Sequence, residues 1–148
     1  TCGFMARLIS PSEFVYNKIL EPTPGAGNLV RAMEGFGYNI ITPGEGDFWE
    51  MNHEGRYDYV VMNPPFTPMK EAFRYIEKGV ELSDNVITLV PWFILINSDR
   101  RFKYIYDFGL VSVTHLPRNT FPGCRIQCVI LHMKKNHRAS TLFLPLFN

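Results

Sequence analysis

Between Lys18 and Gly37 the sequence runs KILEPTPGAGNLVRAMEGFG. A short apolar run is stopped by Pro22, a tight turn carries Gly25 and Gly27, and Leu29, Val30 and Met33 then share one helical face. The order is strand, glycine loop, helix, the unit from which α/β folds are built. YNIIT reads as a second strand broken by PGEG, and YDYVVM as a third whose apolar end predicts burial on both faces of a parallel sheet. MKEAFRYIEKGVELS places Ala72, Phe73, Ile76 and Val80 on one stripe, as a crossover helix requires. NVITLVPWFILI begins as a strand with Pro91 at its end, and DRRFKYIYDFG is a helix with Asp99 near its start and Gly109 past its end. LVSVTHL and IQCVILHM read as two strands forming an antiparallel terminal pair. SPSEFVYN reads as a short helix with Pro11 at its first position, and the tail NHRASTLFLPLFN is apolar without a clear period.

The 148 residues, 46% hydrophobic and 20% charged, suit one globular domain spanning 1–148. No apolar run approaches the roughly 20 residues of a membrane span and the first residues lack a signal peptide's apolar stretch, so the expectation is a soluble, cytoplasmic protein with no membrane partner. Cys124 and Cys128 have no second cysteine pair to complete a zinc site, so no metal is expected. A net charge of +1 leaves no broad basic footprint; contact with nucleic acid must be local or shared with a partner. The local candidates are Arg100, Arg101 and Lys103, then Arg118 and Arg125, then Lys134, Lys135 and Arg138.

LEPTPGAGN sits at the carboxyl end of the first strand, where an open α/β sheet binds ligands. Gly25 and Gly27 let a ligand approach the backbone, and Glu21 supplies a carboxylate for a cationic or hydroxyl-bearing group. The loop is neither a G-x-G-x-x-G dinucleotide fingerprint nor a phosphate loop. The third strand ends on a stiff corner, Asn63-Pro64-Pro65-Phe66. The acid-Pro-x-x-Gly-x-Gly loop followed by this corner resembles the S-adenosylmethionine-dependent methyltransferases that modify amino groups, in particular the N6-adenine DNA methyltransferases of phage and restriction-modification systems. The likeness runs from Pro11 to about Met133.

The resemblance implies a Rossmann-like methyltransferase fold: a mostly parallel central sheet flanked by helices, with an antiparallel C-terminal strand. It implies an enzyme of the EC 2.1.1 class that transfers a methyl group to an exocyclic amino nitrogen, adenine N6 in DNA before others. RNA bases and protein glutamine are alternatives, as is a methyltransferase-like binding module without turnover. It assigns Asn63, Pro64, Pro65 and Phe66 to the acceptor, with Asn63 and Pro64 accepting the two N–H bonds of the amine and Phe66 stacking on the base. It assigns Pro11, Glu21, Pro22, Gly25, Gly27, Asp47 and Phe48 to S-adenosyl-L-methionine. The chain departs from the family between Thr42 and Asp47, where only PGEG separates the second strand from Asp47: either a strand-helix unit is missing or Asp47 serves a merged role, with Glu45 a weak substitute for the usual ribose acid. No segment the size of a target-recognition domain is expected after Met133, so sequence specificity would come from a partner subunit, from short loops such as Pro117 to Arg125, or not at all. His115, His132 and Trp92 read as structural residues.

Overall fold

A computed structural model describes residues 1–10, 18–121, 123 and 125–146. Pro11, SPSEFVYN beyond Ser10, and Cys124 lie outside the described residues. The order of elements is α1 (Cys2–Arg7), β1 (Lys18–Leu20), α2 (Asn28–Glu34), β2 (Asn39–Ile41), a 3₁₀ turn (Phe48–Glu50), β3 (Tyr59–Met62), α3 (Met69–Leu82), β4 (Asn85–Pro91), α4 (Phe93–Ile96), α5 (Asp99–Gly109), β5 (Leu110–His115), β6 (Cys128–Lys134) and β7 (Leu142–Pro145).

The strands form a single seven-stranded sheet in the order β2-β1-β3-β4-β6-β5-β7. Pairing is parallel from β2 through β4 and again between β5 and β7; β6 is antiparallel to both neighbours. The order places β1 between β2 and β3, so the chain reverses its direction of growth at β1 and the loops after β1 and β3 share one edge of the sheet.

Side-chain alternation sorts the strands into two cores. Val60, Met62, Val86, Val90, Val129 and Leu131 face α3 and α5. Ile19, Tyr59, Val61, Ile87, Leu89 and Ile130 face the layer where Met5, Ala6, Leu29 and Met33 of α1 and α2 pack. All four residues of β3 are buried, as its unbroken apolar pattern requires.

Three features go beyond the sequence pattern. Helix α1 forms over TCGFMAR with no side-chain cap and is held by burial of Met5 and Ala6. The region between β2 and β3 holds only turns and the 3₁₀ turn, so the strand-helix unit the family usually has there is absent. The aperiodic tail does form a strand: β7 lies along β5 from Ser112↔Leu142 to His115↔Pro145. Among the described residues no helix is long and apolar enough to cross a membrane and no cluster of His, Cys, Asp or Glu could hold a metal.

Candidate active site

Pro22 and the turn after it end β1, and the backbone then passes through two left-handed positions, Gly25 at φ 48° and Gly27 at φ 75°. Side chains rarely adopt such angles, and at Gly27 an added Cβ would also stand 3.0 Å from the Arg31 guanidinium. The Gly27 N–H donates to the Pro24 carbonyl at 2.7 Å, which closes the turn and starts α2.

The loop forms the floor of a cleft of about 260 Å³. Its walls include Thr23, Asn63, Leu89, Phe121 and, from α1, Cys2 and Met5. Glu21 lies in this cleft with no solvent exposure. Its Oε1 accepts from the Thr23 N–H at 2.7 Å and the Thr23 hydroxyl at 2.8 Å, while Oε2 is buried without a partner among the described residues. Burial pushes the carboxyl up from 4.5 to about 7, against the opposing pull of the two Thr23 hydrogen bonds. A buried acceptor with nothing donating to it, in a cleft beside a glycine turn, is the arrangement a cationic ligand group would complete.

Thr23 also reaches the acceptor corner, because its Oγ1 accepts from the Asn63 N–H at 3.2 Å. One hydroxyl thereby links the end of β3 to the acid at the end of β1. Asn63 is exposed and Pro64 buried; neither the Asn63 side-chain amide nor the Pro64 carbonyl has a hydrogen-bond partner among the described residues. Both acceptors are therefore unpartnered, the Asn63 amide on an exposed residue and the Pro64 carbonyl on a buried one. Pro65 is exposed, and Phe66 is half-buried against the core layer that also holds Leu29 and Leu89.

The structure thus brings Glu21, Gly25 and Asn63 to one cleft, with Pro22 buried behind the loop and Gly27 closing it. It does not bring Asp47 and Phe48 there. Asp47 is exposed and its Oδ1 accepts from the Trp49 N–H at 2.9 Å, capping the 3₁₀ turn. Phe48 is buried in the core beneath α3, stacked on Tyr75 with ring centroids 5.4 Å apart. Sequence reasoning did not single out Thr23, Phe121, Cys2 or Met5. Thr23 stands between two prolines in EPTPG, which is a local signal; the others reach the cleft through tertiary packing alone.

His132 lies inside β6, where burial, then the charges of Lys134 and His137, hold it down at about 4; it is neutral and structural near neutrality.

No protein-family model and no curated protein matches this sequence. Solved structures do match in fold. A Listeria monocytogenes protein assigned to the class I S-adenosylmethionine-dependent methyltransferases aligns over 97% of this chain and 64% of its own, with a TM-score of 0.78 and 17% identity. The methyltransferase subunit of a type I restriction-modification system from Streptococcus thermophilus aligns over 97% of this chain and 46% of its own, with a TM-score of 0.76 and 14% identity. A Pyrococcus horikoshii protein assigned as an RNA methyltransferase covers 94% of this chain and 81% of its own, with a TM-score of 0.62 and 22% identity. The chain therefore has the Rossmann-like fold of the S-adenosylmethionine-dependent methyltransferases, and it spans about half to two thirds of the first two of these proteins.

Proposed function

We propose that this chain is the catalytic core of an S-adenosylmethionine-dependent methyltransferase that modifies an exocyclic amino nitrogen, adenine N6 in DNA. The observation that carries this reading is the Thr23 hydroxyl, which joins the buried Glu21 of the glycine loop to the backbone of Asn63 at the acceptor corner.

The residues of the cleft suit the amino-acid end of the cofactor. Glu21 Oε2 would take its ammonium group, and the open glycine turn would admit its carboxylate to the backbone. A volume of about 260 Å³ lies below the roughly 300–1,000 Å³ of sites that engulf whole drug-sized ligands, so the adenosine end would extend beyond it. The exposed Asp47 is the candidate for that end. Phe48, packed in the core, would serve it only by holding the 3₁₀ turn in place.

When bound, S-adenosylmethionine supplies an electrophilic methyl group on sulfur. An adenine amino nitrogen is a poor nucleophile because its lone pair is delocalised into the ring. Asn63 Oδ1 and the Pro64 carbonyl, both unpartnered among the described residues, would accept its two N–H bonds and favour a pyramidal nitrogen whose lone pair points into the cleft. Pro64 and Pro65, with fixed φ, hold that carbonyl without help from other hydrogen bonds. Phe66 offers a half-exposed ring for the displaced base. After transfer the nitrogen carries an extra proton, which the exposed Asn63 edge leaves free to pass to water.

Several structural neighbours are subunits of type I restriction-modification systems, and others are assigned to RNA. Recognition of a DNA sequence by a partner subunit, or by chain beyond the compared region, fits the first group. RNA as acceptor fits the second. The test is transfer of labelled methyl from S-adenosylmethionine to single-stranded DNA, duplex DNA, RNA and a glutamine-bearing protein. Label on DNA that is lost with 6-methyladenine already in place supports the proposal; label confined to RNA or protein changes the acceptor. Saturable cofactor binding with no label on any of them would leave a binding module and overturn the catalytic reading.

A further inference from the structure

A net charge of +1 conceals an uneven distribution. A groove of about 300 Å³ between the first half of α3 and the first turn of α5 is lined by Lys70, Phe73, Arg74, Ser98, Arg100 and Arg101, with Glu77 as its one acid. Arg74 is engaged: its Nη1 meets Glu71 at 3.0 Å and its guanidinium lies 4.5 Å from the Trp49 ring centre. Lys70, Arg100 and Arg101 form no ion pair among the described residues, and the Nε of Arg101 is buried with no hydrogen-bond partner. Lys103, by contrast, turns away to Asp107 at 2.6 Å.

These cations stand where helix physics disfavours them. The first turn of a helix carries its positive end and favours carboxylates, as Glu71 in α3 and Asp99 in α5 illustrate. Lys70, Arg100 and Arg101 occupy the same turns with the wrong sign, and the two helices bring them to one groove. A local rule broken twice on facing elements marks a place shaped for something other than stability. An anion in the groove reverses the sign of each term: it meets the positive ends of the two helices, the unpaired guanidinium donors and the ammonium together.

The position selects the anion. Helices α3 and α5 follow β3 and β4, so the groove opens at the edge of the sheet where β3 ends on Asn63. Lys70 is four residues beyond Phe66, the last residue of the acceptor corner, and two beyond Pro68, which precedes the first residue of α3. A base presented to Asn63 from a strand crossing this edge would leave its flanking phosphates over α3 and α5. We infer that the groove holds the phosphodiester backbone of the nucleic acid strand whose base enters the acceptor corner. The inference rests on the reading of the acceptor as a nucleic-acid base.

The test is binding of short fluorescein-labelled DNA and RNA single strands by anisotropy across a salt series, with Lys70→Gln/Arg100→Gln, Arg101→Gln and Glu77→Gln compared with the wild type. Each cation removed should lower the salt slope by about 0.7, so the double variant should lose about 1.4 and bind more weakly regardless of base sequence. Glu77→Gln should bind more tightly, a change that a poorly folded variant cannot produce. Titration with S-adenosylmethionine should be the same in all four proteins. DNA bound in preference to RNA, or the reverse, identifies the strand and in either case supports the groove. An unchanged salt slope in the double variant would overturn the inference, as would wild-type protein that binds no strand at low salt, or equal displacement of the strand by polyglutamate. Loss of methyl transfer with groove-dependent strand binding retained would instead count against the proposed reaction and leave the groove standing.

Discussion

Replacing Glu21 by glutamine tests the cleft through its state of charge. The Glu21 carboxyl is fully buried, spends Oε1 on Thr23 and leaves Oε2 unpartnered, and burial raises its pKa to about 7. In the free protein it is therefore about half protonated at neutrality. A ligand ammonium seated against Oε2 would return the group to its ordinary 4.5 or below, so binding releases a proton in the window between these values. With one site shifting from about 7 to about 4.5, S-adenosylmethionine should bind about 15-fold more weakly at pH 5.5 than at pH 7, below the range in which an α-amino group loses its own proton. Calorimetry in two buffers of different ionisation enthalpy should report about 0.9 proton released per ligand near pH 6. For the apo protein the dependence is opposite in sign, because folding takes up the proton that ligand binding releases. The folded state holds a proton that the unfolded chain has lost between 4.5 and 7, so this group's contribution to stability falls by about 3 kcal/mol as pH rises through that window. Glu21→Gln should remove both slopes, melt higher than wild type near pH 8 relative to pH 5, and bind the cofactor at least about 10-fold more weakly at pH 7. A pH-independent affinity in the wild type, or the same pH dependence in Glu21→Gln, would refute the assignment of Oε2 to a cationic ligand group.

Asn63→Ala should leave cofactor affinity within about twofold of wild type while reducing kcat about 100-fold, because the role proposed for the side chain is toward the acceptor; single-turnover transfer beside a calorimetric titration separates the two. Thr23→Val removes the hydroxyl, one of the two donors to Glu21, and the acceptor for the Asn63 N–H, so Glu21 should titrate above 7, the pH midpoint of cofactor binding should move up with it, and Thr23→Ser should restore both. An unmoved midpoint would show that the hydroxyl is incidental. Gly109→Ala should destabilise by about 3 kcal/mol or more, since φ is 135° there and the new Cβ would fall 2.1 Å from the Lys134 carbonyl oxygen; thermal unfolding by circular dichroism checks it, with a drop of roughly 6–12 °C expected.

The parts of this molecule that could be read from sequence are those whose signals are local. KIL followed by two glycines declares a strand and its turn within ten residues, and the apolar face of MKEAFRYIEKGVEL declares α3 by its period alone. What escaped depended on partners far along the chain. Helix α1 contains Gly3 and has no side-chain capping hydrogen bond, so its sequence offers little reason to be helical; Met5 and Ala6 are held against α2. Strand β7 keeps Leu142 and Phe143 exposed, so it lacks the alternation that marks a half-buried strand, and only the β5 edge calls it into existence. Phe48 is a residue for which the sequence leaves two readings, core packing or contact with a ligand ring. The motif GDF points to a ring available for a ligand, yet the ring is buried on Tyr75. A motif carries residue types and order, while the choice between packing and ligand contact is made by what surrounds the ring.

The least legible feature is also the one that makes the site a unit. Thr23 and Asn63 are 40 residues apart, and no pattern in either segment announces a bond between them. A hydroxyl has one proton. In Thr23 it goes to Glu21 Oε1, so the oxygen faces Asn63 only as an acceptor, and its acceptor strength depends on how strongly the carboxylate draws the proton. An ionised Glu21 draws it more strongly than a protonated one, which polarises Thr23 and tightens its hold on the Asn63 N–H. The group that would bind the cofactor's cation thereby sets how firmly the acceptor corner is held, and a cationic ligand that keeps Glu21 ionised also fixes the start of Asn63-Pro64. On the proposed reading, cofactor and acceptor would be coupled through this single side chain, so changes at Thr23 should alter cofactor affinity and acceptor turnover together, whereas changes at Asn63 should alter turnover alone.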